Sequence, residues 1–357
     1  MDGRAIWTLL AVLFGSLSAS AGPILDRLRL PRQLAEVNAT LAGHLDDYTD
    51  NHRVDRRVWS AALGEKRDLY VYTPPGYQPE LAYPVLIWLH GFRQDESSFL
   101  DIVRLFDDAM RSGKLPKFIV VAPDGSLQGR PTQFRAGSFY LNSRAGRFED
   151  YIQCDVWNFV TAHYRIRPER AAHVLAGGSM GGFGAFNHGF KHKQRYGIIV
   201  GLLPPVNLRY VDCHGRYFTD FDPECWGFRE RLSPLAPVAR FCSPLGITVI
   251  RQGILTGPLF GIHHEALQAL AAENPLEMLA TYDIQPGELA LFIGYGLRDE
   301  FNIDAQVESF LYVAAQRGLT IATNVNPHGR HSMEDGKWHF DAVAAWLRPQ
   351  LAPLCPP

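Results

Sequence analysis

One stretch constrains this chain more than any other: Ala176-Gly177-Gly178-Ser179-Met180-Gly181-Gly182. A short apolar run, Ala172 to Ala176, precedes it, and a small-residue, helix-compatible run, Phe183 to Lys191, follows. A strand that turns this sharply into a helix pushes one side chain out at the apex, in a strained backbone conformation. Strand and helix then approach so closely that a Cβ at Gly177 or Gly181 would clash. Ser179 is the apex residue. Its hydroxyl is expected at the carboxyl end of a sheet, with the Met180 N–H turned back toward anything bonded to it. Gly-x-Ser-x-Gly alone also describes an ordinary glycine-rich turn. The strand before, the helix after and suitable partners elsewhere make Ser179 a candidate nucleophile.

The rest of the chain supplies the surrounding sheet. Val54 to Leu63 and Arg67 to Thr73 read as two strands with a turn at Gly64-Glu65-Lys66. Pro84 to Leu89 is a continuous apolar run, as expected of a strand buried on both faces of a mainly parallel sheet. A helix over about Ser97 to Ser112 and a strand at Phe118 to Ala122 follow. Residues 126–147 form a long connection whose Phe139 and Tyr140, with Phe134, Arg135 and Arg144, are candidates to line a substrate pocket. Phe148 to Tyr164 has helical periodicity, with Ile152, Val156, Phe159 and Val160 on one face. His173 to Ala176 and Tyr196 to Leu203 are further strands. Regular alternation then stops, and residues 204–262 read as an insertion capping the carboxyl edge of the sheet. After a helix near Ile262 come a strand at Leu289 to Gly294, a helix from Ile303 stopped by Gly318, a strand at Leu319 to Val325 and a last helix from Asp335 to Leu347. The alternation predicts an α/β fold with a doubly wound, mainly parallel sheet. Ligands in such sheets sit past the carboxyl ends of the strands.

The 357 residues suffice for one large α/β domain, and a formal net charge of −2 gives no strong field for nucleic acid or acidic membranes. Residues 1–21 read as an export signal: Arg4, an apolar run from Ala5 to Gly15 too short to span a bilayer, then Ala19-Ser20-Ala21 before Gly22. A secreted or periplasmic protein without stable membrane insertion is expected. Residues 22–53 read as a polar lead-in, either a short amphipathic helix or an ordered segment, and 54–350 as the main domain. Cys213, Cys225 and Cys242 lie close together in a loop-rich region, so one disulfide among them is expected, with Cys154 and Cys355 elsewhere. No zinc spacing occurs, so no metal site is expected. His188 and His192 share a helical face and read as a solvated pair, and His263-His264 as surface.

A serine hydroxyl needs a base, usually a histidine held by a carboxylate, and in this architecture the order is serine, acid, histidine. The acid belongs after the Leu289 to Gly294 strand, where Asp299 leads, with Glu300 and Asp304 as alternatives. The base belongs after the last strand, where Asn326-Pro327-His328-Gly329-Arg330-His331 favours His331 over His328. The oxyanion donors are expected to be the N–H groups of Met180 and Phe92, the latter in His90-Gly91-Phe92.

These stretches together carry a resemblance. Tyr72-Thr73-Pro74-Pro75-Gly76-Tyr77, Trp88-Leu89-His90-Gly91-Phe92, Ala122-Pro123-Asp124-Gly125, Gly178-Ser179-Met180-Gly181-Gly182 and Gly329-Arg330-His331 resemble the esterase D-type branch of the α/β-hydrolase superfamily. That branch includes feruloyl and acetylxylan esterases, S-formylglutathione hydrolases, siderophore esterases and the antigen 85 mycolyltransferases. The resemblance implies the α/β-hydrolase fold and a serine esterase using Ser179, Asp299 and His331, with no cofactor. Its substrate would be a small-molecule or carbohydrate-linked ester. Gly178, Arg330 and the cysteine-bearing segment after Pro205 depart from the branch pattern. An acyltransferase and a catalytically silent binding protein are the competing expectations.

Overall fold

The computed structural model describes residues 34–52, 54–130, 137–243, 246–261 and 264–356. The export segment, Phe134, Arg135 and His263 lie outside them. The main sheet has eight strands: β1 His44–Tyr48, β2 Leu69–Thr73, β3 Val85–Leu89, β4 Ile119–Pro123, β5 His173–Gly178, β6 Ile198–Leu202, β7 Ala290–Gly296 and β8 Ala322–Asn326. Their spatial order is β1-β2-β4-β3-β5-β6-β7-β8. β1 and β2 pair antiparallel, as do β2 and β4; every other pairing is parallel. The expected doubly wound, mainly parallel α/β sheet is present.

Both faces of the central strands are apolar because each carries a helical layer. Val85, Ile87, Leu89, Leu175 and Ile199 point into one layer, packed by the helices Met180–Lys191 and Ile303–Gln316. Leu86, Val174, Ala176 and Val200 point into the other, packed by the helices Val103–Arg111 and Phe340–Leu351. The period-two alternation of strands thus divides one continuous apolar run between two cores. No helix among the described residues is long and apolar enough to cross a membrane.

Several details differ from the sequence expectation. The polar lead-in contributes β1, a charged edge strand in which only Leu45 is buried, so alternation gave no signal. The expected pair of strands before Pro74 is broken at Asp68: Val58–Ser60 and Glu65–Arg67 form a separate ribbon, and only Leu69–Thr73 joins the sheet. The helix from Phe148 passes through a π-helical turn at Tyr151–Val156 before Trp157–His163. The last helix divides at His339 into Met333–Trp338 and Phe340–Leu351. His188 is not solvated: every residue from Met180 to Phe190 is buried, since this helix lies between the sheet and other helices. Its Nε2–H donates to the Tyr140 carbonyl (2.7 Å), its Nδ1 accepts from Gln153 (2.9 Å), and burial drives its pKa down to about 4. His192 does reach solvent and pairs with Glu149.

Residues 204–261 fold as two small ribbons, Tyr210–Asp212 with Trp226–Phe228 and Pro237–Ser243 with Gly246–Arg251, followed by the short helices Gln252–Leu255 and Gly257–Phe260. A disulfide joins Cys213 to Cys225, within the expected trio. The segment is tied down beside the carboxyl edge of β7: the Arg240 N–H donates to the Glu300 carbonyl (3.1 Å) and the Tyr217 hydroxyl to the Phe301 carbonyl (2.7 Å).

The turn from β5 into the helix Met180–Lys191 is the tightest point of the fold. A Cβ on Gly181 would run into the Leu89 carbonyl, and one on Gly177 into the Gly181 backbone, whereas a Cβ on Gly178 would meet nothing within 4 Å. Gly181→Ala is therefore expected to cost about 3 kcal/mol or more, and Gly178→Ala under about 1 kcal/mol, by denaturant unfolding. Equal, small costs at both positions would contradict this packing.

Candidate active site

Ser179 sits one residue past β5, between the ends of β3 and β6, where Leu89 and Leu202 register with Gly177 and Gly178. Its φ of 54° and ψ of −117° are a conformation L residues rarely adopt. The turn is held by the Ser179 N–H, which donates to the Leu202 carbonyl (2.7 Å), and by its carbonyl, which accepts from the Phe183 N–H (3.0 Å). The hydroxyl faces outward, with no side-chain role in capping the helix.

The structure brings the expected partners together. Ser179 Oγ lies 2.7 Å from His331 Nε2, and His331 Nδ1 lies 2.7 Å from Asp299 Oδ2. The Asp299 side chain is fully buried, and its other oxygen accepts the Phe301 N–H at 2.8 Å. An ionised carboxylate can only accept, so Nδ1 carries the proton and the Nε2 lone pair faces the serine hydroxyl. The Phe301 ring packs against the imidazole, centroid to centroid 4.5 Å. Burial alone would lower the His331 pKa. The adjacent Asp299 carboxylate, with Glu300 and Asp335 behind it, more than offsets that, and the net shift is upward.

The alternatives lie elsewhere. His328 is exposed, with its N–H on Asn326 Oδ1 (3.1 Å). Asp304, which burial pushes up to about 6, opens the helix Ile303–Gln316. Glu300 has a different part, which sequence spacing did not reveal. One of its oxygens accepts the His331 N–H (2.9 Å) and the other accepts Arg330 Nε (2.7 Å). Glu300 thus straps the loop after β8 to the loop after β7, which fixes the imidazole relative to Asp299. Arg330, where the branch pattern has a second glycine, is half of this strap.

The turn after β3 is equally determined. The Gly91 N–H donates to Gln94 Oε1 (2.8 Å), and the Tyr140 hydroxyl donates to the His90 carbonyl (3.0 Å). His90 Nε2 accepts the Gly125 N–H (2.8 Å), which leaves Nδ1–H to donate to the Gly91 carbonyl (2.9 Å). Below it, the fully buried Asp124 pairs with Arg67 at 3.2 Å. Burial alone would raise the Asp124 pKa, but the Arg67 guanidinium and the Ser126 N–H, which donates to Oδ1 (2.8 Å), hold it below the usual carboxylate range. No other described residue accepts from the N–H groups of Phe92 or Met180.

Ser179, Met180, Phe92 and His331 open onto a cavity of about 340 Å³, which Tyr217 and Phe241 of the 204–261 segment help to wall. Phe139 is part of that wall. Tyr140 is not: it is fully buried, and its hydroxyl is spent on the His90 carbonyl, so it supports the turn from behind.

Residues 60–352 match the model of a family described as "Putative esterase". The chain belongs to this esterase family. Among curated relatives, an S-formylglutathione hydrolase of Arabidopsis thaliana is 25% identical over 171 residues, which span 44% of this chain and 58% of that protein. An esterase of Mycobacterium tuberculosis is 27% identical over 167 residues, 45% of this chain and 35% of that protein. The matches thus cover about a third to somewhat over half of those relatives. A solved ferulic acid esterase superposes with a TM-score of 0.60 at 15% identity, over 87% of this chain and 100% of that one. An S-formylglutathione hydrolase from Agrobacterium tumefaciens also gives 0.60, at 16% identity, over 87% and 97%. At such identities the shared property is the fold, and it is the α/β-hydrolase fold.

The esterase-family chain yields a measurable electrostatic consequence. In an NMR pH titration of 13C-labelled histidine, the His331 imidazole should titrate above the ordinary value of about 6.5. In Asp299→Asn the largest upward contribution is lost while burial remains, so the titration should move down. A native imidazole titrating at or below the ordinary value would contradict the arrangement.

Proposed function

We propose that the protein is a serine carboxylesterase that works through an acyl-enzyme on Ser179. The observation that carries this reading is the hydrogen-bonded chain from Ser179 through His331 to Asp299, opening onto a cavity beside two N–H groups with no other acceptor among the described residues. His331 Nε2 takes the hydroxyl proton as Oγ adds to the ester carbonyl carbon. The carbonyl oxygen gains the negative charge, and the Phe92 and Met180 N–H groups are the donors that receive it. Asp299 stabilises the imidazolium and keeps its ring oriented; it does not take the proton. On collapse the C–O bond to the alcohol breaks, and the alcohol leaves with the proton from Nε2. Water then enters, His331 takes one of its protons, and the acid departs as Oγ recovers a proton. No step requires a metal or organic cofactor.

The chemistry of the relatives agrees with an ester or thioester substrate, which comes to this chain as part of the proposal. Export belongs to it as well, supported by the pattern of residues 1–21 and by the Cys213–Cys225 disulfide.

Ser179→Ala is expected to lower kcat on p-nitrophenyl acetate by about 10³-fold or more with unchanged thermal stability. A fluorophosphonate probe should label the native protein on the Ser179 peptide alone. Retained turnover in the alanine variant, or an adduct on another residue, would move the chemistry elsewhere.

A further inference from the structure

The cavity does not end at Ser179. Its lining extends from Ser179 and His331 to side chains on the face of the sheet opposite the helix Met180–Lys191, which form an arm of the cavity. Its floor is strand side chains: Leu86 and Trp88 of β3, Ala176 of β5 and Val200 of β6. One wall is Ile102, Leu105 and Phe106, beside and within the helix Val103–Arg111. The other is Phe340, Val343, Ala344 and Leu347, an i, i+3, i+4, i+7 stripe of the helix Phe340–Leu351.

Such a stripe normally closes against the opposing helix. Here it leaves space, and Trp88 shows it. β3 is the fourth of eight strands, yet Trp88 is only half-buried while the other four residues of β3 are buried. Its ring lies 6.3 Å from that of Phe106, which lies 5.3 Å from that of Phe340, so an aromatic row joins the floor to both walls. Small side chains on the floor, Ala176 and Val200, deepen it. Between these walls the lining is hydrocarbon. Polar lining residues lie where Ser332 and Lys337 follow His331 and where Arg93 and Gln94 follow Phe92, and others, Gln252 and Thr256 among them, line the cap side.

From this division we infer that the arm holds a medium-to-long aliphatic acyl chain, so that the substrates are esters of fatty acids. The inference rests on the acyl-enzyme reading of Ser179. The acyl group stays bonded through both chemical steps, which suits a dry apolar arm. The alcohol must leave and water must enter, which suits the more polar cap side. A chain in the arm removes its own apolar surface and that of Trp88, Phe106 and Phe340 from water, at about a threefold to fourfold gain per buried methylene.

Gly336 gives a means of closing the arm. It lines the cavity, and a Cβ there meets nothing within 4 Å, so a larger side chain has room to be accommodated at the cavity wall. The test is a series of p-nitrophenyl esters, acetate to laurate, at monomeric concentrations. In the native protein kcat/KM should rise at least about tenfold from acetate to octanoate. In Gly336→Phe the octanoate-to-acetate ratio should fall at least about tenfold. A second readout needs no turnover: 11-bromoundecanoate should quench native tryptophan fluorescence, and Trp88→Phe should abolish most of that quenching. A native kcat/KM that falls beyond butyrate overturns the inference. So does an unchanged ratio in Gly336→Phe, or a preference for a long alkyl alcohol over a long acyl group. Quenching at Trp88 without hydrolysis of any ester would sink the Ser179 reading and leave the arm as a fatty-acyl site. Hydrolysis of acetate without quenching or chain-length preference would sink the arm alone.

Discussion

The backbone of Gly181 lies against the carbonyl of Leu89, with no room for a Cβ between them. Everything at the site depends on that approach. It lets the helix Met180–Lys191 start directly beneath the end of β3, which forces Ser179 into a positive φ and lifts its hydroxyl clear of the sheet. It also sets the Met180 N–H beside the turn that carries Phe92. The strain at Ser179 costs on the order of 1–3 kcal/mol and persists because neighbouring hydrogen bonds, to Leu202 and from Phe183, fix the turn from both sides.

Three buried carboxylates then position the loops that meet this hydroxyl. Asp299 fixes the tautomer of His331, and Glu300, its neighbour in sequence, fixes the backbone that carries that histidine. On the other side Asp124, with Arg67 and His90, underlies the turn holding Phe92. His331 is thereby held to the loop after β7 at two points, by its ring and by its backbone N–H. A base positioned in this way loses little orientational freedom when a substrate binds, which is the condition for efficient proton transfer.

Much of this was legible in the sequence because its signals are local. A buried parallel strand is a continuous apolar run, and the elbow has a glycine pattern that sterics require. Asp299 and His331 followed from their order after particular strands. What stayed hidden depends on tertiary contact. Tyr140 resembles a pocket residue until its hydroxyl is found on the His90 carbonyl, and His188 resembles a surface histidine until its helix is found enclosed. In the sequence Glu300 reads only as a substitute acid, since nothing in its spacing reveals a backbone N–H as its partner. The arm under Trp88 is a space between helices, and the stripe at Phe340, Val343, Ala344 and Leu347 reads the same whether it closes or stays open.

The central claim is that one oxygen bonded to the Ser179-attached carbon would sit between two prepared donors. A crystal structure of the protein inactivated with a p-nitrophenyl alkylphosphonate measures this directly. The account predicts continuous density from Ser179 Oγ to phosphorus, with the phosphoryl oxygen about 2.7–3.1 Å from both the Phe92 and Met180 nitrogens. Phosphorus bonded at Ser179 with that oxygen turned to solvent or toward His331 would contradict it.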